Sequence, residues 1–370
     1  MKFQDKIDDN SKIIGIPRAI SYYYNYPFYY GYFKGLGFDI VLSDKTTSKI
    51  INEGSKYVVS DTCLPIKVFV GHVVNLLSKG CDKIFIPSVQ STAYKVNNCT
   101  KVRGLPEIIR NVIDKPFTMI EPTLDKTNNI CFKDFCYDTA NQLGIFDEKI
   151  IDSAIKSGWS IYNNFKQMTV DGVPFEEALN CAINNKTARK PIEIVKPISV
   201  VVMAHGYNLF DERISMRLIP KLEKMGVKVY TGLNVSKQDA VNSIQELGEI
   251  QYWANELDLT GAAAYYMLNE RIDGIIALSA FGCGPDSLMV NELEYHASEK
   301  KLPMMHLTID EHTGEAGFVT RVEAFVDMLI RKKRKKIEKS NIKLFQSTKK
   351  ENTNITHEQE EPNLTIVQNR

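Results

Sequence analysis

From Lys12 onward the chain alternates short apolar runs with segments of helical periodicity, the rhythm of a parallel sheet covered by helices. The first stretch predicts strands at Ile13–Ile16, Phe38–Leu42, Tyr57–Val59, Lys83–Ile86 and Phe117–Ile120. Between them fall helices at Tyr22–Leu36, Lys45–Glu53, Pro65–Ser78 and Leu105–Ile113, and a long loop from Pro87 to Gly104. Residues 126–195 carry few strand signals. Ile150–Gln167 and Pro174–Asn184 read as helices there, with Trp159, Tyr162 and Phe165 on one face. A second α/β unit opens at Pro197, with strands Ile198–Ala204, Val227–Tyr230, Ile272–Leu278 and Met304–Thr308. Its helices are expected at Glu212–Met225, Ser236–Glu270, after Pro285, and at Thr320–Ile330. The expected fold is α/β: two doubly wound parallel-sheet domains, 12–125 and 196–330, joined by a helical connector over 126–195. Residues 1–11 read as a disordered start and 331–370 as a tail, basic and then polar, without a core of its own. The block Arg331–Lys336 has no interleaved aromatics and reads as the solvated end of a helix.

Composition narrows the picture. Of 370 residues 44% are hydrophobic and 25% charged, as in soluble globular proteins, and the length suffices for two cores. A net charge of +1 argues for neither nucleic acid nor a membrane surface as partner. No apolar run reaches the roughly 18 residues of a membrane span, and the polar start is unlike a signal peptide, so a cytoplasmic location is expected. Seven cysteines in such a chain point to metal or redox chemistry before disulfides. There is no G-x-x-x-x-G-K-[ST] loop and no G-x-G-x-x-G after a strand, so any energy input is expected from a partner.

In open α/β sheets ligands bind at the carboxyl ends of the strands, and this rule sorts the cysteines. Cys63, Cys99 and Cys283 follow strands, whereas Cys81, Cys131, Cys136 and Cys181 read as packing residues. Cys283 lies in a strand-to-helix turn, Ser279 to Ser287, flanked by Gly282 and Gly284. These glycines permit positive φ and let backbone N–H groups approach whatever the sulfur holds. The helix behind it favours a thiolate. Three thiolates from two domains would suit a soft metal centre. Zinc is one option, although no C-x-x-C pair is present. A [4Fe–4S] cluster is the other; with three cysteines it leaves one iron open to substrate. Arg18, Lys67, Lys95, Lys101 and Arg103 fall on the same rim, where cations would favour an anionic cluster. His205 follows Ile198–Ala204 and is an acid/base candidate or a fourth ligand. His205, Arg18 and Lys67 are thus the candidate catalytic side chains. Asp310–Glu315, after the last strand, reads as a polar ligand loop or a helix cap.

These motifs carry a resemblance. Gly15-Ile16-Pro17-Arg18-Ala19, Asp61-Thr62-Cys63-Leu64-Pro65, Pro87-Ser88-Val89-Gln90, Asn98-Cys99, His205-Gly206-Tyr207-Asn208-Leu209-Phe210-Asp211, Phe281-Gly282-Cys283-Gly284-Pro285-Asp286-Ser287 and Asp310-Glu311-His312-Thr313-Gly314-Glu315-Ala316-Gly317 are similar to those of acyl-CoA dehydratase activase-related proteins. These are relatives of the 2-hydroxyacyl-CoA dehydratase subunits and double-cubane cluster proteins. The resemblance runs from about Lys12 to Ile330. It implies two flavodoxin-like domains with an iron–sulfur cluster between them, fed low-potential electrons by an ATP-hydrolysing activase. Cys63, Cys99 and Cys283 would be the ligands, beside Gly282 and Gly284, and three cysteines suit a single cubane. Such a protein would be a lyase or reductase of anaerobic metabolism acting on a small molecule or acyl-CoA thioester, alone or with a second dehydratase-like subunit. The alternatives are a non-catalytic cluster-bearing subunit that relays electrons, and a zinc-bearing or metal-free binding module.

Overall fold

The computed structural model describes residues 12–191, 196–248, 253, 256–269 and 272–355; the expected disordered start, 1–11, lies outside them. Eleven strands are found among these residues: β1 (Ile13–Ile16), β2 (Asp39–Leu42), β3 (Lys83–Phe85), β4 (Ser88–Ala93), β5 (Val96–Asn97), β6 (Thr118–Ile120), β7 (Thr123–Asp125), β8 (Ile198–Met203), β9 (Val227–Tyr230), β10 (Gly274–Ala280) and β11 (Met304–Ile309). The first main sheet has the order β2-β1-β3-β6 and the second β11-β10-β8-β9, all parallel. Numbered within each unit, both orders are 2-1-3-4. Each sheet therefore reverses strand order between its first and third strands, which opens a crevice at their carboxyl ends. The fold is α/β with two doubly wound parallel-sheet units flanked by helices, as the apolar rhythm predicted.

The central strands are apolar on both faces because helices cover both faces. All seven residues of β10 and all four of β1 are buried. The connector docks on the first unit through small residues. A side chain at Gly31, in the helix Tyr22–Gly35, would meet the backbone of Ser157 and Gly158 in the helix Glu148–Val170 at 2.8–2.9 Å. One apolar core runs from the first sheet through the connector into one face of the second, and a smaller core fills the other face. No helix among the described residues is long and apolar enough to cross a membrane.

Several expected elements differ. Tyr57–Val59 is a turn, so the first main sheet has four strands. β1 already pairs with β2 and β3, and Val59 is 75% exposed, so this short segment finds no sheet position. The expected loop Pro87–Gly104 contains the β4–β5 hairpin, which joins β7 in a small third sheet. The helix expected at Glu212–Met225 is confined to Leu218–Lys224, because Met216 and Arg217 adopt left-handed backbone (φ 50° and 56°). The last helix spans Glu315–Ile355, so residues 331–355 of the expected disordered tail are helical. Two lysines of the basic block dock its start: Lys333 Nζ lies 2.7 Å from Asp273 Oδ2, and Lys332 Nζ donates to Lys301 O at 2.8 Å.

Candidate functional site

The turns at the carboxyl ends of the two sheets meet, and the turns that carry the candidate ligands share one construction. Cys63, Cys99, His205 and Cys283 each stand immediately before a helix: Leu64–Ser78, Thr100–Arg103, Gly206–Leu209 and Gly284–Glu299. Cys63 and Cys99 have nearly identical extended backbone, φ −62° with ψ 149° and 151°. Their carbonyls accept the first helical bonds, from Ile66 and Lys67 N–H at 3.1 and 3.3 Å and from Val102 and Arg103 N–H at 3.1 and 3.0 Å. Pro65 and Pro285 open their helices where a missing N–H costs nothing. Gly282 takes the left-handed conformation, φ +74°, that turns the chain from β10 to Cys283, whereas Gly284 is already helical. Space beside both glycines is open, since a side-chain carbon at either would touch nothing within 4 Å. Cys63 reaches the rim through the pairing of two helices, because no strand precedes it.

The three thiols are electrostatic neighbours. Burial pushes the Cys63 thiol up in pKa, with the Cys99 sulfur and the Asp286 carboxylate adding to it, against the Lys101 ammonium and the Ile66 amide. Burial and then Asp286 push the Cys283 thiol well up, with a contribution from Cys63. The helix N-terminus behind Cys283 was expected to favour its thiolate; desolvation outweighs it. Tyr207, buried, has its hydroxyl pKa raised by burial and then by Asp286, Tyr24, Cys283 and Cys99, which places it among the same groups.

Asp286 is 1% exposed, three residues after Cys283 on the first helical turn. Its Oδ1 lies 2.8 Å from His205 Nε2, and among the described residues no lysine or arginine pairs with it. Tyr24 O–H lies 3.4 Å from His205 Nδ1 and accepts the Gly206 N–H at 2.8 Å. Each ring nitrogen of His205 thus has one polar neighbour, Tyr24 at Nδ1 and Asp286 at Nε2, while among the described residues neither Asp286 carboxylate oxygen accepts a hydrogen bond. His205 also stacks on Tyr207 at 4.8 Å. His205, Cys283 and Asp286 offer ligand atoms all within 4.8 Å of one another. A buried carboxylate beside two thiols raised by burial, with no lysine or arginine paired to it among the described residues, has the donor chemistry of a metal centre: the missing positive charge is what a metal would supply.

The remaining candidates fall around this centre. Lys67, 4% exposed, donates to Ser60 O at 2.8 Å and pairs with Glu311 Oε1 at 2.5 Å, so it ties the two units together. The loop Asp310–Glu315 supplies that partner and is folded by a turn of its own ahead of the last helix, with Asp310 Oδ1 accepting from His312 N–H at 2.9 Å and Thr313 O–H at 2.7 Å. Arg18 is not brought to the thiols. Its Nε donates to Ser43 O at 2.7 Å and its NH1 to Tyr22 O–H at 3.2 Å, folding it into a separate cleft with Lys45, Asp211 and Arg213. Lys95 stacks over Tyr94 at the hairpin tip, and Arg103 Nε donates to Gln90 Oε1 at 2.7 Å. Of the other cysteines Cys81 and Cys136 are buried and Cys181 half-buried. Cys131, expected to pack, is instead an exposed helix cap whose N–H donates to Asp134 Oδ2 at 2.7 Å.

Residues 13–235 match the family described as CoA enzyme activase uncharacterised domain (DUF2229), more than half of the chain. The chain belongs to that family. It is an acyl-CoA dehydratase activase-related protein, as the motifs indicated. No curated protein matches the sequence. The matched region of this CoA enzyme activase-related chain contains Cys63, Cys99 and His205 and ends before Cys283 and Asp286. Asp286, Tyr207 and Tyr24 were missed as site residues. An acidic residue in the first turn of a helix is expected for the helix dipole alone, and that ordinary role masks the His205 pairing.

Proposed function

We propose that Cys63, Cys99 and Cys283 are the protein ligands of a [4Fe–4S] cluster, and that the protein works in the cytoplasm of an anaerobic cell within an acyl-CoA dehydratase system. In this reading it receives low-potential electrons from an ATP-hydrolysing activase and dehydrates or reduces a small acyl substrate. What supports the reading is the grouping of Cys283 with Asp286 and His205, together with Cys63 near enough to act on the Cys283 thiol and Cys99 near enough to act on that of Cys63. When bound, the cluster supplies one-electron chemistry at an iron without a cysteine ligand. The chain's own residues do the rest. The three thiols give up their protons on loading. His205 Nε2, 2.8 Å from Asp286 Oδ1, stands beside the ligands as the acid/base candidate of the site. Tyr207 excludes water from the wall behind them, and the Lys67–Glu311 pair holds the two units closed.

Anaerobic isolation followed by iron and sulfide analysis tests this. About four irons per chain are expected, falling sharply in Cys63→Ser, Cys99→Ser and Cys283→Ser; iron-free protein would overturn the reading. A change in the electron paramagnetic resonance of the reduced protein on adding acyl substrate is expected of an enzyme, and its absence would leave the electron-relay role. The 4.8 Å grouping of His205, Cys283 and Asp286 favours one second reading, a single metal ion on those three. Stoichiometric zinc without sulfide would select it.

A further inference from the structure

A second cavity, of about 360 Å³, lies where the first unit, the connector and the second unit join. That volume is ordinary for a small-molecule site. Its walls are strongly aromatic: Phe132, Phe135, Trp159, Tyr162 and Phe165 all line it. Phe132 and Trp159 lie 5.2 Å apart, and Trp159 and Tyr162 5.4 Å. Trp159 remains 39% exposed despite these contacts, so its ring is available at the opening. Three lysines from three separate segments also line the cavity: Lys126, Lys166 and Lys237. No aspartate or glutamate does, and among the described residues none of the three lysines has an ion-pair partner. Lys67, which bridges the two units elsewhere, is by contrast paired with Glu311.

The cavity also touches the thiol site. Tyr24 and Asn98 line its wall. Tyr24 is the residue bonded to the Gly206 N–H and next to His205, and Asn98 immediately precedes Cys99. We propose that this cavity binds a small apolar anion, an aryl or acyl group bearing a carboxylate or phosphate. The apolar part packs on Trp159 and Phe132, and the anionic end is held by Lys126, Lys166 and Lys237. Aromatic walls bury the apolar half, and unpaired ammonium groups supply the charge that such a ligand needs. Occupation brings the ligand against Tyr24 and Asn98, next to the candidate ligands. The identification of this ligand as the substrate rests on the function proposed above; the binding itself needs no metal.

Trp159 reports on occupancy. With Trp253→Phe as background, one tryptophan remains of the two in the chain, and its fluorescence is titrated with 3-phenylpropionate, hexanoate, 3-phenylpropanol and inorganic phosphate. A saturable change is expected with either carboxylate, with phosphate alone giving none. Binding of the uncharged alcohol should be about tenfold weaker, or about 1.4 kcal/mol, and Lys126→Met combined with Lys166→Met should erase the advantage of the charged probe. Equal binding of the alcohol, no saturation with either carboxylate, or insensitivity to the lysine changes would overturn the proposal. The alcohol comparison uses unaltered lysines, so misfolding of a variant cannot produce a false negative. Running the titration on metal-free and on anaerobically isolated protein separates the two ideas. Binding without iron leaves this site standing while the cluster reading fails, and iron without binding does the reverse.

Discussion

Lys67 Nζ lies 2.5 Å from Glu311 Oε1, joining the helix that begins at Cys63 to the loop that follows β11. Burial opposes ionisation of Glu311, but the Lys67 hydrogen bond and charge outweigh it and hold the carboxyl below its usual range. Lys67→Met would leave the carboxylate unpartnered, at a cost of about 3 kcal/mol, the low end for buried pairs because Glu311 keeps some exposure. A carboxyl whose folded pKa is depressed stabilises above its unfolded value and loses that contribution as pH falls through the folded value. The cost of Lys67→Met in urea unfolding should therefore be constant from pH 7 to about pH 5 and shrink below about 4.3. A cost that is the same at pH 3 and pH 7 would rule out the pair as its source.

The position of Cys63 depends on a helix crossing without side chains. A carbon added at Gly54 would overlap the Lys67 carbonyl, and one at Gly71 would overlap the Ile50 carbonyl, both backbone atoms that cannot rotate away. Gly54→Ala should destabilise by at least the 1–3 kcal/mol or so typical of overpacking and lower the metal content with it. Gly284→Ala should leave the melting temperature nearly unchanged, because the space there is open. If Gly284→Ala folds normally yet loses metal, close backbone approach to the bound group is required at that turn. Equal melting temperatures for Gly54→Ala and Gly284→Ala would contradict the crossing.

The legible part of the sequence was local. Short apolar runs followed by turns located β1, β3, β8 and β10, and with them the turns that carry His205 and Cys283, whereas Cys99 follows β5 in a hairpin that read as loop. Strand ends also predicted a rim position for Cys63, which was right in place and wrong in cause, since Tyr57–Val59 is a turn. What could not be read was pairing over distance. Nothing near His205 announces Asp286, 81 positions later, and Arg18 was grouped with the site by its strand end when Ser43 and Tyr22 draw it elsewhere. Low apolar content after Ile330 predicted disorder, but strong helix formers continue the last helix, and Asp273 and the Lys301 carbonyl give its lysines somewhere to dock.

The raised thiols set the behaviour of the metal-free protein. Burial keeps Cys63 and Cys283 protonated in the fold, while the same thiols in the unfolded chain ionise near pH 8.5. A group with a raised folded pKa contributes stability that is complete below its unfolded pKa and is lost as pH rises through the folded value. Metal-free protein should thus weaken from about pH 8.5 upward, and Cys283→Ala should flatten that decline. Iodoacetamide at neutral pH should label exposed Cys131 before Cys63 or Cys283. Rapid labelling of Cys283 would show that its thiol is not suppressed.

His72 sets a limit on the acid side. It is fully buried in the helix Leu64–Ser78, with Thr46 O–H 3.0 Å from Nε2 and no partner for Nδ1 among the described residues. Burial, reinforced by the Arg18 charge, lowers its pKa to about 3, so the folded state keeps the ring neutral. In the unfolded chain the ring takes up a proton near pH 6.5, and a depressed folded pKa means that stability present above that value is lost as pH falls. Between pH 6 and 4 the decline from this residue should approach about 1.4 kcal/mol per unit. His72→Gln removes the titration while retaining a polar atom for Thr46. Its unfolding free energy should change less between pH 6.5 and 4 than that of the unaltered protein, whatever its stability at pH 7. Parallel curves over that window would mean that His72 is protonated in the fold, and that Thr46 or an opened path to water accommodates the charge.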